Sequence, residues 1–526
     1  MRAPCDEAVI ASQAGLSKCR ADKRAWILAA TILGSSMAFI DGTVVNVALP
    51  ALQHDFGASL VEVQWVVEAY GLTLAALILV GGSMGDLFGR RRVFVCGVVL
   101  FAAASVACGL ASNIYHIIAA RAVQGIGAAF LVPGSLAIIS ASFDEGGRGR
   151  AIGTWSGSTA ITMAIGPVLG GWLIEHLSWR WAFFINLPIA IVVVAISLWH
   201  VPESKSSQTG RIDWWGALSG TIALTALVFS CTESSRLGWR HPLILGTLVA
   251  GIVASAAFAW VEARCPEPMV PFSLFRSRAF TGANLLTLLL YSAIGIAFFL
   301  LPMNLIEVQG YSATAAGAAL LPVILLMFLL SRWSGGLVDR YGARLPLTVG
   351  PTIGALGLLL FSVPSVGGTY WTTFFPAILV LGFGMSVSVA PLTTVVMNAI
   401  DQDRVGIASG INNAVSRIAG LMAVAVFGAV MVAEFGNYMN RQLAQETLNP
   451  EVRAELRANE AMMAAMQVPK GVDAQTAAAI ESSKQHAFVF GFRVVMWICA
   501  ALALGSAAIA RLTIPGKARA KPAPPN

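Results

Sequence analysis

The sequence predicts an all-α polytopic membrane protein of fourteen spanning helices with both termini on the cytoplasmic side. Three observations predict it: an apolar composition, a train of apolar runs long enough to cross a bilayer, and a basic bias between alternate loops. Of the 526 residues 57% are hydrophobic and 12% charged, where an ordinary soluble domain carries roughly 25% charge. A run of about twenty apolar residues crosses a hydrocarbon core of ~30 Å as a helix, and open-edged strands cannot satisfy their backbone groups in lipid.

The runs fall at 26–50, 62–82, 93–112, 115–140, 151–173, 180–201, 213–232, 242–262, 280–303, 313–335, 344–363, 371–393, 406–434 and 488–511. The first is read as a span rather than a cleavable signal, because it is long and leads into polar Asp41 and Asn46. With the N-terminus inside, the inner loops carry Arg90, Arg91, Arg92, Arg148, Arg150, Lys205, Arg211, Arg264, Arg276, Arg278, Arg332, Arg340, Arg344 and Arg404. The outer loops carry Arg180, Arg236 and Arg240. That bias sets the orientation and accounts for the net charge of +7 without nucleic acid, since no basic patch is interleaved with aromatics.

The seven cysteines include no C-x-x-C pair, the six histidines no H-x-x-x-H, and no Walker lysine follows a glycine loop. Disulfide, metal, cofactor and ATP-driven readings therefore have no support. A G-x-S-x-G at Gly81–Gly85 lies at a span end, without the strand-to-helix elbow a hydrolase needs.

An internal repeat organises the chain. Gly82-x-x-x-Asp86-x-x-Gly89-Arg90-Arg91-Arg92 after the second run returns as Gly335-x-x-x-Asp339-Arg340-x-Gly342-x-Arg344 after the tenth. Both copies face inward, so two six-helix halves have the same orientation and two helices are inserted between them. The expected division is a tail at 1–25, a six-helix bundle at 26–203, a linker with the inserted pair at 204–265, a second bundle at 266–511 and a tail at 512–526. The outer loop at 435–487 contains a helix start at Asn449-Pro450-Glu451 and an apolar set, Leu456, Met462, Met463 and Met466, that suits a shielding hairpin.

Asp41, Glu68 and Arg121 fall within apolar runs of the first half. Facing lipid at the bilayer centre, each would cost at least ~2.5–3.5 kcal/mol, so each is expected to face a cavity or a partner. If the first span ends near Pro50, Asp41 lies ~13 Å and Glu68 and Arg121 ~9–10 Å below the outer surface, at similar depth. An apolar cavity and a nearby arginine act oppositely on a carboxylate's proton, a balance that suits proton coupling. Tyr70, Phe39, Tyr291 and Phe298 are candidate cavity walls, and Asn412, Asn413 and Arg417 a counterpart in the second half.

An ordered set of motifs resembles the major facilitator superfamily, specifically its fourteen-helix drug:proton antiporter branch. The set is "DGTVVNVALP", "QWVVEAYGL", "GGSMGDLFGRRR", "RAVQGIGAA", "GPVLGG" and "WRWAFFINLP". Leu87 departs from it where the family usually has Arg, and Thr162 where it usually has Gly, which is expected to alter a gate contact and loosen a helix crossing. The resemblance implies a major facilitator fold in the cell (inner or plasma) membrane. It also implies export of lipophilic, cationic drugs or toxic compounds in exchange for protons by alternating access. Another solute on the same fold, such as a metabolite, antibiotic or siderophore, is the alternative; an enzyme or sensor is a distant third. It implies proton coupling at Asp41 and Arg121, substrate recognition at Glu68, a cytoplasmic gate at the repeated loop, and a leak-resisting helix motif at Gly166, Pro167, Gly170 and Gly171. The partners expected are a small lipophilic molecule, protons and the bilayer, with the chain acting as a monomer.

Overall fold

The computed structural model describes residues 5–143, 145–205, 213–266, 268–400, 405–443, 449–469 and 472–516. Among them thirteen helices are long and apolar enough to cross a membrane, and a shorter apolar helix, Arg344–Leu360, stands where the eleventh span is predicted. The first group is α1 (Cys5–Phe56), α2 (Leu60–Phe88), α3 (Arg90–Gly109), α4 (Ile114–Ser142), α5 (Glu145–His176), and the short α6 (Trp181–Phe184) leading into α7 (Asn186–His200). α8 (Trp214–Leu237) and α9 (Pro242–Arg264) follow. The last group is α10 (Arg278–Met303), α11 (Ala313–Ala319) running into α12 (Leu321–Tyr341), α13 (Arg344–Leu360), α14 (Tyr370–Asn398), α15 (Val405–Leu443), α16 (Pro450–Ala458) and α17 (Ala474–Thr513).

Local chemistry sets the breaks. A reciprocal capping box opens α2: Glu62 N–H donates to Ser59 Oγ at 3.3 Å, and Ser59 N–H to Glu62 Oε2 at 2.8 Å. Asn113, Asp213 and Ser277 cap α4, α8 and α10 one way, each side chain accepting a first-turn backbone N–H. α2 and α12 each end on a left-handed glycine, Gly89 (φ 113°) and Gly342 (φ 75°), the same position in the two copies of the repeat.

The groups pack as two bundles that meet along two seams, α5 against α11 and α2 against α15. α8 packs on α9 and also leans on α2 and α15, at the second seam. Only 11% of the most apolar stretch of α9 is buried, which leaves an apolar face outward as a lipid-facing helix requires.

Two sequence expectations change. Pro50 does not end the first span, because α1 continues through it to Phe56; helix neighbours can satisfy the carbonyl a proline frees. The loop predicted at 435–487 is shorter, since α15 runs to Leu443 and α17 starts at Ala474. Within it α16 begins at Pro450, with Asn449 Oδ1 accepting from Glu451 N–H at 3.2 Å. Leu456, Met463 and Met466 are buried, and Gln53 Nε2 near the end of α1 donates to the Met462 carbonyl at 3.1 Å. The segment is thus packed down on the core. The side chains of Arg148, Arg150, Arg332 and Asp339, and residues Arg211, Arg404 and 517–526, lie outside the described residues.

Candidate functional site

Asp41 of α1 and Arg121 of α4 meet: Arg121 Nη1 donates to Asp41 Oδ2, and both side chains are fully buried. Gln124, one turn beyond Arg121, completes a triangle. Its Nε2 donates to Asp41 Oδ1 at 2.8 Å, and its Oε1 accepts from Arg121 Nη1 at 2.8 Å. Arg121 Nε donates to the Val66 carbonyl of α2 at 3.0 Å, and its guanidinium lies 4.1 Å from the Tyr70 ring centroid. Tyr70 therefore belongs to this cluster rather than to a cavity wall. Asn186 of α7 reaches Asp41 Oδ1 at 3.5 Å and is held by Ser105 Oγ at 3.0 Å. A buried ion pair survives only when its remaining hydrogen-bonding sites are filled, and the two amides fill them. Sequence reasoning missed Gln124 and Asn186 as functional residues, although both sit inside motifs it quoted, "RAVQGIGAA" and "WRWAFFINLP".

A cavity of about 550 Å³ lies between the bundles, lined by Thr43 and Asn46 of α1, Met163 and Pro167 of α5, Tyr291 and Phe298 of α10, Phe328 of α12 and Met385 and Ser386 of α14. Tyr291 and Phe298 are two of its lining residues. None of the described lining residues carries a charge. At about 100° per residue, Asp41 and Thr43 project to opposite sides of α1, so the helix separates the ion pair from the cavity. Phe39 is half-buried on α1 outside the lining. Asn412 turns to α10, donating to Thr287 Oγ1 at 2.7 Å, and Asn413 donates to the Ser409 carbonyl of its own helix at 3.1 Å. Arg417 lies on α15, which packs against α2 at the second seam.

Glu68 is not brought to Asp41. It is fully buried and faces the inserted α8, where its Oε2 accepts from Thr232 Oγ1 at 2.8 Å. One turn away Trp65 Nε1 donates to Glu233 of the same helix at 2.9 Å. These polar contacts tie α2 to the inserted pair.

The repeated loop is pinned in both copies to the last helix of its bundle. Arg90 Nη2 pairs with Asp86 Oδ1 at 2.7 Å, Arg91 N–H donates to Glu203 Oε1 at 3.0 Å, and Nε of Arg91 and of Arg92 each stand 3.7 Å from Glu203 Oε2. Glu203 follows α7 directly. A side chain at Gly89 would meet it, since a Cβ there would stand 2.7 Å from Glu203 Oε1. In the second copy Arg344 Nε donates to the Ile514 carbonyl, just past α17, at 2.7 Å. Gly82 leaves space against Pro133, while Gly335 and Gly336 face open space. Arg340 is exposed.

On α5, Gly166 and Gly170 press on Thr43 and Val44 of α1; a Cβ on Gly170 would stand 2.6 Å from Val44 Cγ1. Gly171 and the Pro167 carbonyl meet α11 through Ala313 and Gly317. Small residues on both faces let α5 pack closely between the bundles. Thr162 does not loosen the crossing, because its hydroxyl is 3.0 Å from Ser36 Oγ of α1 and ties the two helices together.

Residues 31–424 match the family model of the Major Facilitator Superfamily. The chain is 35% identical over 427 residues to the multidrug resistance protein Stp of Mycobacterium tuberculosis, covering 81% of this chain and 79% of that one. It is 30% identical over 495 residues to the tetracenomycin C resistance and export protein of Streptomyces glaucescens, covering 93% and 92%. Among solved structures it resembles a bacterial homolog of the human lysosomal transporter Spinster in an inward-facing conformation, with a TM-score of 0.63 at 15% identity over 94% of this chain and 99% of that one.

Proposed function

The chain belongs to the Major Facilitator Superfamily and is a multi-pass cell-membrane transporter rather than an enzyme, and from that premise we propose that it exports lipophilic drugs, cationic ones among them, in exchange for protons. The observation that carries the proposal is the position of α1 between a buried Asp41–Arg121 pair and an apolar cavity. The names of the relatives, multidrug resistance and tetracenomycin C resistance and export, support the substrate class.

The mechanism follows from that position. A proton that neutralises Asp41 removes its attraction for Arg121 and leaves Gln124 to re-pair, which frees α1 from α4. Because the opposite face of α1 bears Thr43 and Asn46, its movement reshapes the cavity wall and lowers affinity for the substrate. Linkage requires the converse, that substrate binding expels the proton. Tyr291 and Phe298 bind the apolar body of the substrate, and the bundles rock about the α5–α11 and α2–α15 seams.

The test is accumulation of a fluorescent lipophilic cation in everted vesicles under an imposed pH gradient. Asp41→Asn keeps the shape and both amide contacts but cannot carry the proton. It should abolish gradient-driven accumulation and hold substrate binding at the weaker, pH-independent affinity of the protonated state. Unchanged gradient dependence in the variant would overturn the coupling assignment.

A further inference from the structure

α3 carries an open groove of about 660 Å³, bordered by Leu198 of α7. Its floor is one stripe of α3: Arg92, Val95, Cys96, Val99, Leu100 and Ala103 recur every three or four residues, the spacing of a single helical face. From Arg92 to Ala103 the stripe runs eleven residues, about 16 Å at 1.5 Å per residue, which is the depth of one leaflet of a ~30 Å hydrocarbon core. Cys96, Val99 and Leu198 are exposed, so no other part of the described chain covers the stripe. The groove shares no lining residue with the central cavity.

The head of the groove is basic. Arg91 and Arg92, in the first turn of α3, both line it. Among the described residues one carboxylate reaches them, that of Glu203, whose Oε2 lies 3.7 Å from the Nε of each. Two guanidinium groups thus share one negative charge, and an excess positive charge remains at the mouth. Arg91 is committed further, its Nη1 donating to the Val201 carbonyl at 3.2 Å, while the Arg92 side chain is 71% exposed. No lining residue is acidic.

A groove one leaflet deep, apolar along its length and positively charged where it meets the membrane surface, complements a lipid in shape and charge; basic pockets between spans hold anionic headgroups. We infer that the groove is a binding site for a phospholipid of net negative charge, its phosphate at Arg92 and Arg91 and one acyl chain along Val95, Val99 and Ala103. A zwitterionic phospholipid carries a cationic group that the same arginines repel. A short phosphate ester would leave the apolar length unfilled. The site places an anionic headgroup beside the Glu203 contacts that hold the Gly89 loop.

The inference does not rest on what the chain transports or on its energy source, because binding is read at equilibrium without a gradient. Failure of the Asp41→Asn coupling test would leave it standing. The purified full chain, with Cys96 as the one cysteine kept of seven, is held in maltoside micelles, and the rate at which N-ethylmaleimide modifies Cys96 is followed as lipid is added. Dioleoylphosphatidylglycerol should slow the reaction at an about tenfold lower concentration than dioleoylphosphatidylcholine, which has the same tails and no net charge. Arg92→Gln should cut that preference about fivefold, the worth of one basic side chain at a membrane surface, and Arg92→Lys should keep most of it. Ala103→Trp fills the deep end without touching the arginines and should weaken protection by both lipids, which keeps the test decisive if Arg92→Gln folds poorly. Glycerol phosphate, the headgroup chemistry without tails, should not protect. Equal protection by the two dioleoyl lipids, a preference that survives Arg92→Gln, or protection that survives Ala103→Trp overturns the site. So does protection by glycerol phosphate, since that would make the groove a site for a soluble phosphate ester.

Discussion

Replacing Glu203 with alanine tests whether the loop between α2 and α3 is a gate. Glu203 Oε1 accepts two backbone hydrogen bonds, from Arg91 N–H at 3.0 Å and from its neighbour Ser204 N–H at 3.2 Å, and Oε2 faces two guanidinium nitrogens at 3.7 Å; the contacts to Arg91 and Arg92 are the ones that reach the loop. A hydrogen bond to a charged group contributes about 1.5–3 kcal/mol. The Glu203 side chain is 23% exposed and that of Arg92 71%, so solvent screening holds the two longer pairs to a few tenths each and trims the first. The loss is about 2 kcal/mol in the anchoring of the loop to α7, which caps any shift between closed and open states at ~30-fold, reached only if the contacts break on opening. The readout is the rate at which a membrane-impermeant thiol reagent labels Ser386→Cys in the central cavity of everted vesicles, in a background without native cysteines. If the loop holds the cytoplasmic end closed, labelling should accelerate strongly in Glu203→Ala and less in Glu203→Gln, which keeps an acceptor for Arg91. Gly89→Ala drives a methyl against the same carboxylate at a positive φ and should act in the same direction. Unchanged labelling in Glu203→Ala, or opposite shifts in the two variants, would refute the gate.

Three further outcomes follow. Gln124→Leu removes both amide contacts of the buried pair; it should lower the pH-gradient dependence of efflux more than Asn186→Leu, whose contact is 3.5 Å, and lower stability by about 1–3 kcal/mol in thermal unfolding. Gly170→Val overpacks the crossing with α1 and should reduce stability by about 1–3 kcal/mol and abolish transport, whereas a matched change at Gly153, which faces open space, should do neither. Asp473 caps α17, and the Thr476 hydroxyl and N–H hold its carboxyl below the usual carboxylate range. A lowered folded-state value means the cap is fully formed above the unfolded value of about 3.9 and is lost as pH falls through the folded one. Hydrogen exchange at the start of α17, corrected for its intrinsic pH dependence, should rise only in strong acid, and Asp473→Asn should remove that rise.

The helices were legible because lipid imposes a length and a polarity that any apolar run must meet. The Asp41–Arg121 pair was legible for a related reason, since two opposite charges at one depth in hydrocarbon have few other places to go. Gln124 and Asn186 were hidden because a neutral amide in an apolar span costs little enough to pass as packing. Glu68 looked equivalent to Asp41 by depth, and only the docking of α8 against α2 separates them. Glu203 was hidden differently. In a short basic loop it reads as solvated, and its contact with the Arg91 backbone exists only because α7 returns beside α3.

The position of α1 makes one coupling route preferable to direct competition. If proton and substrate shared a site, acidic groups would line the central cavity, and its described lining has none. Asp41 is instead sealed from that cavity by the helix that carries it, with Gly166 and Gly170 of α5 set tightly against the face of α1 at Thr43 and Val44. Protonation can then reach the substrate only as a displacement of α1, and a displacement requires that the α1–α5 crossing move as a unit. Close packing without side-chain bulk permits this, because two backbones in contact slide together where interlocked side chains would resist. On this argument closing a disulfide between cysteines placed at Thr43 and Gly166 should leave transport at the level of the same double-cysteine variant in its reduced form, because the pair moves together. A cross-link from α1 to α4, at Ser35 and Ser135, whose hydroxyls are 2.9 Å apart, should stop transport while still permitting the proton to bind. If both cross-links had the same effect, α1 would not be the element that carries the signal.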